Sequence, residues 1–294
     1  MDIGLSLLLS LVALIPRWVG LSGQRFIDDE CFHAELARWP MAEIWQHCTT
    51  SVTMPGWLSL YRPWMASVAP LFSSADLGAR ALSLLAGSLV VTSTYWLGLV
   101  AAGRRVAVLA GAAAALSGYQ IYFSQTATPY AVMSLVGTLT ALSLLLCLGR
   151  GSRLAALFNM FLLAFSFYLH HSAALLWGAQ AASLLMLLLA GKVRRGHLSL
   201  AAAATAGALL LGIPALALWW TQGEVLARVG LPYVPNLTVA AVTEVLHDLA
   251  AYRARLPLSG AMAAFFGCAA AAVAIKAAVG TINGTPPRRE LLAV

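Results

Sequence analysis

The chain has 294 residues, of which 61% are hydrophobic and 10% are charged, whereas about 25% of the residues of a soluble domain are charged. This composition excludes an ordinary soluble enzyme and predicts an all-α membrane protein. The net charge of +7 comes mainly from arginines in short loops between apolar stretches, which is typical of topology signals rather than of nucleic-acid binding. Two lysines against sixteen arginines, with abundant alanine, indicate a GC-rich bacterial genome, and we therefore expect the bacterial inner membrane.

Long apolar stretches follow one another along the chain, and a span needs about 20 apolar residues to cross a hydrocarbon core of ~30 Å. They cover residues 3–21, 79–101, 106–123, 130–148, 154–190, 198–219 and 258–280. The stretch 154–190 would be about 55 Å long as one helix, so we predict two spans separated by a turn at His170 and His171. The sequence thus predicts a polytopic membrane helical bundle of about eight transmembrane helices, which forms one module over residues 1–280, followed by a tail at 281–294.

The stretch 55–72 decides the topology of this bundle. It contains three prolines, Arg62 and several aromatic side chains, which is typical of a helix that lies at the membrane interface. If it does not cross, the arginine-containing linkers after the second, fourth and sixth spans fall on the same side as the tail. The loop 22–78, in which six carboxylates outnumber three arginines, then faces the other side. By the positive-inside rule, both termini are cytoplasmic and this loop is periplasmic.

Two outer loops, 22–78 and 220–257, are expected to hold short helices. In the first loop we predict a helix from about Asp29 to Trp39, followed by the interfacial helix. In the second loop, apolar residues recur at helical spacing over 237–255, which predicts an amphipathic helix on the membrane surface. The predicted module therefore resembles a bundle with interfacial helices on its outer face.

The densest charge of the chain lies at Asp28, Asp29 and Glu30, just after the first span. Charged groups beside a membrane are costly and often mark chemistry or ion handling. One carboxylate can act as a general base on an acceptor hydroxyl or amine, and crowding raises the pKa values of neighbouring acids and helps to poise such a base. Two other interpretations stay open: an acidic first turn that stabilises a helix by ~0.3–1 kcal/mol per carboxylate, and a site for a divalent cation.

Short motifs occur in a defined order between residues 3 and 190. They are Asp29-Glu30 with Ala34-Glu35 and Arg38, Pro55-Gly56-Trp57, Leu77-Gly78-Ala79-Arg80-Ala81-Leu82, Gly103-Arg104-Arg105, Ser124-Gln125-Thr126-Ala127-Thr128-Pro129-Tyr130-Ala131 and Tyr168-Leu169-His170-His171. In this order the chain resembles the membrane module of GT-C glycosyltransferases, in particular the dolichyl-phosphate-mannose–protein mannosyltransferase-like and aminoarabinose-transferase-like families. The resemblance implies that Asp29 is the catalytic base, that the donor is a polyprenyl-phosphate sugar, and that transfer occurs on the outer side of the membrane.

Two features depart from the family pattern. Thr128 stands where the family has an arginine, which removes a cation expected near the lipid phosphate. The chain also ends at residue 294, whereas family members usually continue with further spans. Both departures favour the alternative that the protein is a non-catalytic GT-C-like scaffold or partner subunit.

Four arginines of the outer face are candidates for binding the donor phosphate: Arg25, Arg38, Arg62 and Arg80. A guanidinium binds phosphate bidentately and keeps its charge at any relevant pH. Each of the four can instead contact lipid headgroups or pair with a carboxylate, as Arg80 can with Asp76.

Tyr130, His170 and His171 complete the candidate set for substrate binding. The histidines can form hydrogen bonds with the donor, or they can simply make the polar turn between two helices. Pro129 suits the first turn of a helix, so Tyr130 needs no functional explanation on local pattern alone. Glu30 and Asp28 are expected to tune Asp29 or to orient the acceptor.

The sequence contains no Walker loop, dinucleotide fingerprint, zinc motif or nucleophile elbow, so we predict no cofactor. The predicted partners are a polyprenyl-phosphate sugar donor, a lipid, glycan or protein acceptor, and membrane lipids. A transporter or flippase of lipid-linked sugars is disfavoured, because the spans are nearly free of charge and the charge lies at the outer rim. A disulfide between Cys31 and Cys48, which share the first outer loop, is left open.

Overall fold

The computed structural model describes residues 2–21, 24–191 and 193–229, and within these ranges the chain is helical without a β-strand. Its α-helices are α1 (Asp2–Trp18), α2 (Asp28–Leu36), α3 (Met41–Cys48), α4 (Pro55–Ser67), α5 (Ala75–Ala102), α6 (Arg104–Leu116), α7 (Gly118–Ser124), α8 (Tyr130–Arg150), α9 (Arg153–Leu169), α10 (Ala173–Ala190), α11 (Arg195–Leu211) and α12 (Ile213–Val229). A short 3-10 helix at Ala69–Leu71 precedes α5. The predicted all-α class is confirmed for the described part of the chain.

Three helices, α5, α8 and α10, are long and apolar enough to cross a membrane. The described residues hold up to five such spans if two bent pairs, α6 with α7 at 56° and α11 with α12 at 53°, each count as one. The predicted number of eight spans is therefore not confirmed. One reason is length, since α1 and α9 have only 17 residues each. The other is that the predicted spans 106–123 and 198–219 are interrupted at Ser117 and Gly212. The predicted span 258–280, the helix 237–255 and the tail 281–294 lie outside the described residues.

The turn predicted within residues 154–190 is present. α9 ends at Leu169 and α10 begins at Ala173, so His170 and His171 lie in the connection. His170 has an extended backbone, with φ −164° and ψ 149°, which ends the helix. Its Nδ1 atom lies 3.0 Å from the hydroxyl of Ser172. One apolar stretch therefore forms two helices because a short polar segment interrupts it.

The predicted interfacial helix is observed as α4, which has a proline in its first turn. The residues of its first two turns that are buried are Pro55, Gly56, Trp57, Leu58 and Tyr61. Gly56 permits close contact with α9, since a Cβ atom there would lie 2.6 Å from the carbonyl carbon of Tyr168. α4 is therefore packed into the helical bundle, and its contact with a membrane surface stays a prediction.

Consecutive long helices run in opposite directions, so the connections between them gather at two ends of the bundle. Glu30 joins Arg80, in the second turn of α5, to Ala127, which lies just before α8. We call this end, with the first outer loop, the acidic end. The turn 150–153, Gly191 and residues 193–195 lie at the opposite end, which we call the arginine end. The side of a membrane that each end faces stays a prediction.

Asn159 of α9 and Gln180 of α10 form the centre of a polar network inside the bundle. Gln180 Nε2 donates to Asn159 Oδ1 at 2.8 Å and to the Thr205 hydroxyl of α11 at 2.7 Å. Asn159 Nδ2 donates to the carbonyl of Thr140 in α8 at 2.8 Å. The network thus joins four helices, and polar contacts of this kind between membrane helices contribute about 0.6 kcal/mol each.

Candidate functional site

Glu30 and Arg80 form a buried, bidentate ion pair at the acidic end. Arg80 Nε lies 2.7 Å from Glu30 Oε1 and Arg80 Nη2 lies 2.8 Å from Oε2, with both side chains at most 1% exposed. Glu30 also accepts hydrogen bonds from the backbone N–H groups of Ala127, at 2.8 Å, and Ile27, at 3.0 Å. Four donor atoms therefore compensate for the burial of this carboxylate. The partner of Arg80 is thus Glu30 and not Asp76, which is nearer in sequence.

Arg80 also binds the chain segment that leads from α1 to α2. Its Nη1 atom donates to the carbonyls of Leu21, at 3.0 Å, and Gln24, at 2.9 Å. Its Nη2 atom donates to the carbonyl of Arg25 at 3.1 Å. The ring of Phe26 lies over the guanidinium, with its centroid 5.0 Å from Cζ. Arg80 therefore fastens this segment to α5.

Asp28 and Asp29 are exposed, although Glu30 beside them is buried. All three lie in the first turn of α2, which follows the extended residue Ile27. Glu30 accepts from the N–H of Ile27, which is half of a capping box, so the acidic run does help to start the helix. The positive end of the helix dipole also favours carboxylates in this turn. The acidic run is therefore divided into one buried anchor and two exposed carboxylates, one of which is the predicted base.

A row of aromatic rings joins α2 to α3 and α4. The ring centroids of His47 and Phe32 are 5.8 Å apart, those of Phe32 and His33 are 6.0 Å apart, and those of His33 and Trp57 are 6.3 Å apart. Trp57 and Tyr61 stack at 4.8 Å. Polar atoms of this row are buried without a hydrogen-bond partner in the described chain, namely His33 Nδ1, His47 Nε2, Trp57 Nε1 and Tyr61 Oη. Buried polar atoms usually have a hydrogen-bond partner, so these four atoms are exceptions to the usual pairing.

His33 connects this aromatic row to the acidic run, because it lies one helical turn after Asp29. Burial lowers the pKa of His33, although the negative charges of Asp29 and Glu30 act in the opposite direction. The net shift is downward, so His33 is neutral at pH 7. Burial raises the pKa of Tyr61, and the charge of Glu30 acts in the same direction. In the sequence, Trp57 and Tyr61 have the i, i+4 spacing of one helix face, and Trp57 belongs to the motif Pro55-Gly56-Trp57.

Tyr130, His170 and His171 come together at the acidic end. The rings of Tyr130 and His170 have centroids 5.4 Å apart, and those of His170 and His171 are 6.0 Å apart. His171 Nε2 lies 2.7 Å from Oε1 of Gln222, whose Nε2 donates to two carbonyls of the first outer loop at 2.8 and 2.9 Å. Burial and the neighbouring His171 lower the pKa of His170. Gln222 is buried and was not predicted, since no motif includes it.

Arg25, Arg38 and Arg62 are exposed in the first outer loop. Arg38 Nη1 lies 3.3 Å from Glu35 Oε2 in an exposed ion pair. Arg62 Nε donates to the carbonyl of Trp39 at 2.9 Å, so Arg62 and Arg38 share the corner between α2 and α3. Exposed ion pairs contribute only about 0–1 kcal/mol. These three cations are therefore accessible to an anionic ligand, whereas Arg80 is not.

Thr128, at the position of the family arginine, is only 1% exposed. Its hydroxyl lies 3.0 Å from that of Thr126, and its carbonyl accepts from the hydroxyl of Ser83 at 3.4 Å. The position belongs to the packed interior and supplies no charge to a ligand. Thr128, which departs from the family pattern, is therefore a packing residue of the core.

Within the described residues, no three His, Cys, Asp or Glu side chains are grouped as a metal site requires. Each oxygen of Glu30 accepts hydrogen bonds from two donors, so Glu30 is not free to bind a cation together with Asp28 and Asp29. The disulfide that the sequence left open is not formed, since Cys31 is an exposed free thiol and Cys48 a buried one. Burial raises the pKa of the Cys48 thiol to about 11.

Comparisons of the chain with protein-family models, with curated proteins and with solved structures found no match. The resemblance to GT-C glycosyltransferases therefore stays a prediction from short motifs. Assignment of a function depends on those motifs and on the geometry of the acidic end.

Proposed function

We propose that this protein is a membrane glycosyltransferase that transfers a sugar from a polyprenyl-phosphate donor to an acceptor at the periplasmic face of a bacterial inner membrane. The observation that carries the proposal is the arrangement of α2. The buried Glu30–Arg80 pair fixes its first turn, while Asp29 in the same turn is exposed. A general base has to be held within hydrogen-bond reach of the proton it removes, and a fixed helix start meets this requirement.

In the proposed reaction, an acceptor hydroxyl or amine attacks the anomeric carbon of the sugar. A new bond forms between that carbon and the acceptor, the bond from the carbon to the phosphate oxygen breaks, and polyprenyl phosphate leaves. Asp29 takes the acceptor proton, and Asp28 beside it tunes Asp29 or orients the acceptor. This reaction needs no nucleotide, and the sequence contains neither a Walker loop nor a dinucleotide fingerprint. The acceptor is a lipid, a glycan or a protein.

The leaving phosphate needs positive charge, because charge develops on it as the bond breaks. Arg25, Arg38 and Arg62 are the exposed cations of the first outer loop, and two of them share one corner. The cluster of Tyr130, His170 and His171 can contribute further hydrogen bonds to the donor.

The proposal is tested in membranes from cells that lack the gene and are complemented with variants expressed at the same level. Mass spectrometry of envelope lipids, polysaccharide and proteins identifies the sugar that wild type restores. Asp29→Asn keeps the shape of the side chain but removes the base, so we expect transfer to fall by roughly 10²–10⁴-fold. Glu43→Gln is the matched control, since Glu43 is an exposed carboxylate in the first turn of α3, and it should keep wild-type transfer.

Full complementation by Asp29→Asn would show that Asp29 is not the base. Asp28→Asn, tested in parallel, distinguishes the two exposed carboxylates of α2. Loss of transfer in Asp28→Asn alone would reassign the base to Asp28 within the same proposal. Wild-type transfer in both variants would contradict glycosyl transfer by this site.

A non-catalytic GT-C-like scaffold is the second candidate function. Two observations favour it: Thr128 is buried in place of the family cation, and Arg80 is fully engaged by Glu30 and by backbone carbonyls. A scaffold needs the folded acidic end but no base. It therefore predicts that Asp29→Asn restores the envelope glycan as well as wild type does, whereas Glu30→Gln, which weakens the anchor, does not.

A further inference from the structure

Two apolar grooves flank the beginning of α9 at the arginine end. The first, between α8 and α9, has a volume of about 380 Å³ and is lined mainly by Leu139, Leu142, Leu146 and Phe158. The second, between α9 and α11, has a volume of about 300 Å³ and is lined mainly by Leu157, Met160 and Leu200. Both volumes reach the lower end of the range for ligand pockets, about 300 Å³.

An arginine lines each groove. Arg150, at the end of α8, lines the first together with Ser152, and Arg153, at the start of α9, lines the second. The other lining residues are almost all apolar. An apolar groove with a cation on its wall matches a ligand that has an apolar body and an anionic head.

Further cations gather at the same end. Arg194 and Arg195 are exposed at the start of α11. The turn after α8 is held against α11, because His197 Nδ1 lies 2.9 Å from the carbonyl of Leu148. Gly151 in this turn has φ +66°, and a Cβ atom there would lie 2.5 Å from His197 Nε2. The arginines of both turns are therefore parts of one surface.

This cationic surface has no acidic partner in the described chain. The sequence contains no Asp or Glu between Asp76 and Glu224. The ion pairs found in the described ranges involve Arg38 and Arg80 at the acidic end and Arg104, which pairs with Asp2 beside the connection of α5 to α6 and lines neither groove. The charge of Arg150, Arg153, Arg194 and Arg195 is thus available to an external anion.

We propose that the arginine end binds an anionic phospholipid of the surrounding bilayer, with its phosphate at Arg150 or Arg153 and its acyl chains in the two grooves. The proposal is independent of glycosyl transfer, which is assigned to the opposite end. A bilayer lipid fits because α8, which forms one wall of the first groove, is long and apolar enough to cross a membrane. Basic pockets between membrane helices attract anionic headgroups, and each arginine near the surface strengthens this attraction about fivefold.

The first experiment is a lipid titration of the purified, delipidated full-length protein in detergent. Native mass spectrometry counts bound phosphatidylglycerol or phosphatidylcholine with identical acyl chains. We expect the anionic lipid to bind more tightly, and Arg150→Gln to weaken it by about fivefold. Arg105→Gln is the matched control, because Arg105 is an exposed arginine beside the connection of α5 to α6 and lines neither groove. Equal affinity for the two lipids, or an equal loss in both variants, would overturn the proposal.

The second experiment identifies what occupies the first groove. A photo-crosslinking amino acid replaces Phe158, which lies on the groove wall and is 49% exposed, so the substitution leaves the fold intact. Irradiation in phosphatidylglycerol membranes is expected to give an adduct with the mass of the lipid. A crosslink to residues 230–294 of the same chain, or to a second copy, would mean that protein covers the groove, and the proposal would then be wrong.

Discussion

Replacement of Glu30 by glutamine tests whether the buried ion pair anchors α2. Glu30 Oε1 accepts from Arg80 Nε and the N–H of Ala127, and Oε2 accepts from Arg80 Nη2 and the N–H of Ile27. Whichever way a glutamine side chain is placed, its NH₂ group faces two of these donors. Arg80 also loses its counter-charge. Loss of one partner from a buried ion pair costs about 3–5 kcal/mol, so we expect Tm to fall by an amount on the order of 10 °C.

The assay is thermal unfolding of the detergent-solubilised protein, followed by tryptophan fluorescence at one scan rate, because unfolding of such proteins is often irreversible. Glu35→Gln is the matched control, since it makes the same change in the same helix. Glu35 pairs with Arg38 at 3.3 Å, but its side chain is 60% exposed. We expect this control to change stability by about 0–1 kcal/mol. Equal Tm shifts in the two variants would refute the anchoring role of Glu30.

A double variant separates the ion pair from the other bonds of Arg80. In Glu30→Leu with Arg80→Met, no buried charge is left without a partner, so Tm should recover part of the loss seen with Glu30→Gln. Recovery should be incomplete, because the three backbone carbonyls that Arg80 binds lose their donor. A double variant as stable as wild type would contradict the idea that Arg80 fastens the segment before α2.

Three further predictions concern stability away from this pair. The folded-state pKa of His33 is lowered, so below about pH 6.5 the unfolded chain takes up a proton that the folded chain does not, and stability falls as pH falls. His33→Gln should reduce the loss of Tm between pH 7.5 and pH 5.5. Part of the remaining dependence of Tm on pH is due to His170, whose pKa is also lowered. An unchanged dependence of Tm on pH would contradict the assignment to His33. Gly56→Ala should destabilise the protein by about 1–3 kcal/mol, because the new Cβ atom forces α4 away from α9. Gly137→Ala is the control and should not lower Tm, because no atom lies within 4 Å of its new Cβ atom. Similar losses of Tm in the two variants would argue against close packing of α4 on α9. Asn159→Leu should lower stability by about 1–2 kcal/mol in the same unfolding assay, and an unchanged Tm would mean that the four-helix polar network is energetically neutral.

Local features of the sequence were sufficient to predict several elements of the fold. The helix break at His170 and His171 was predictable because an apolar stretch of 37 residues is too long for one span and these are the polar residues in its middle. The start of α4 was predictable because proline suits the first turn of a helix. In each case the cause lies within a few residues of the feature.

Features that depend on distant contacts were not predictable from one sequence. Arg80 pairs with Glu30, 50 residues away, although Asp76 is one helical turn away from it. Gln222 ties His171 to the first outer loop over a still larger separation, and no motif marks it. The predicted number of spans is not confirmed, because apolar composition gives the extent of a stretch but not the bends within it. Bends of more than 50° depend on how helices pack, which a hydropathy pattern does not contain.

The division of the acidic run follows from helix geometry and has a consequence for function. Successive residues of an α-helix point about 100° apart, so adjacent carboxylates in the first turn of α2 cannot all face the bundle. Glu30 faces inward and binds Arg80, which leaves Asp28 and Asp29 outside. Asp29 and Glu30, the two acids of the motif that resembles the GT-C families, therefore have different surroundings, and their replacement should have different effects. Under the proposed function, Glu30 variants should lower stability and transfer together, because they release the helix that holds the proposed base, Asp29. Asp29→Asn should lower transfer at unchanged Tm, because an exposed side chain contributes chemistry but little to packing.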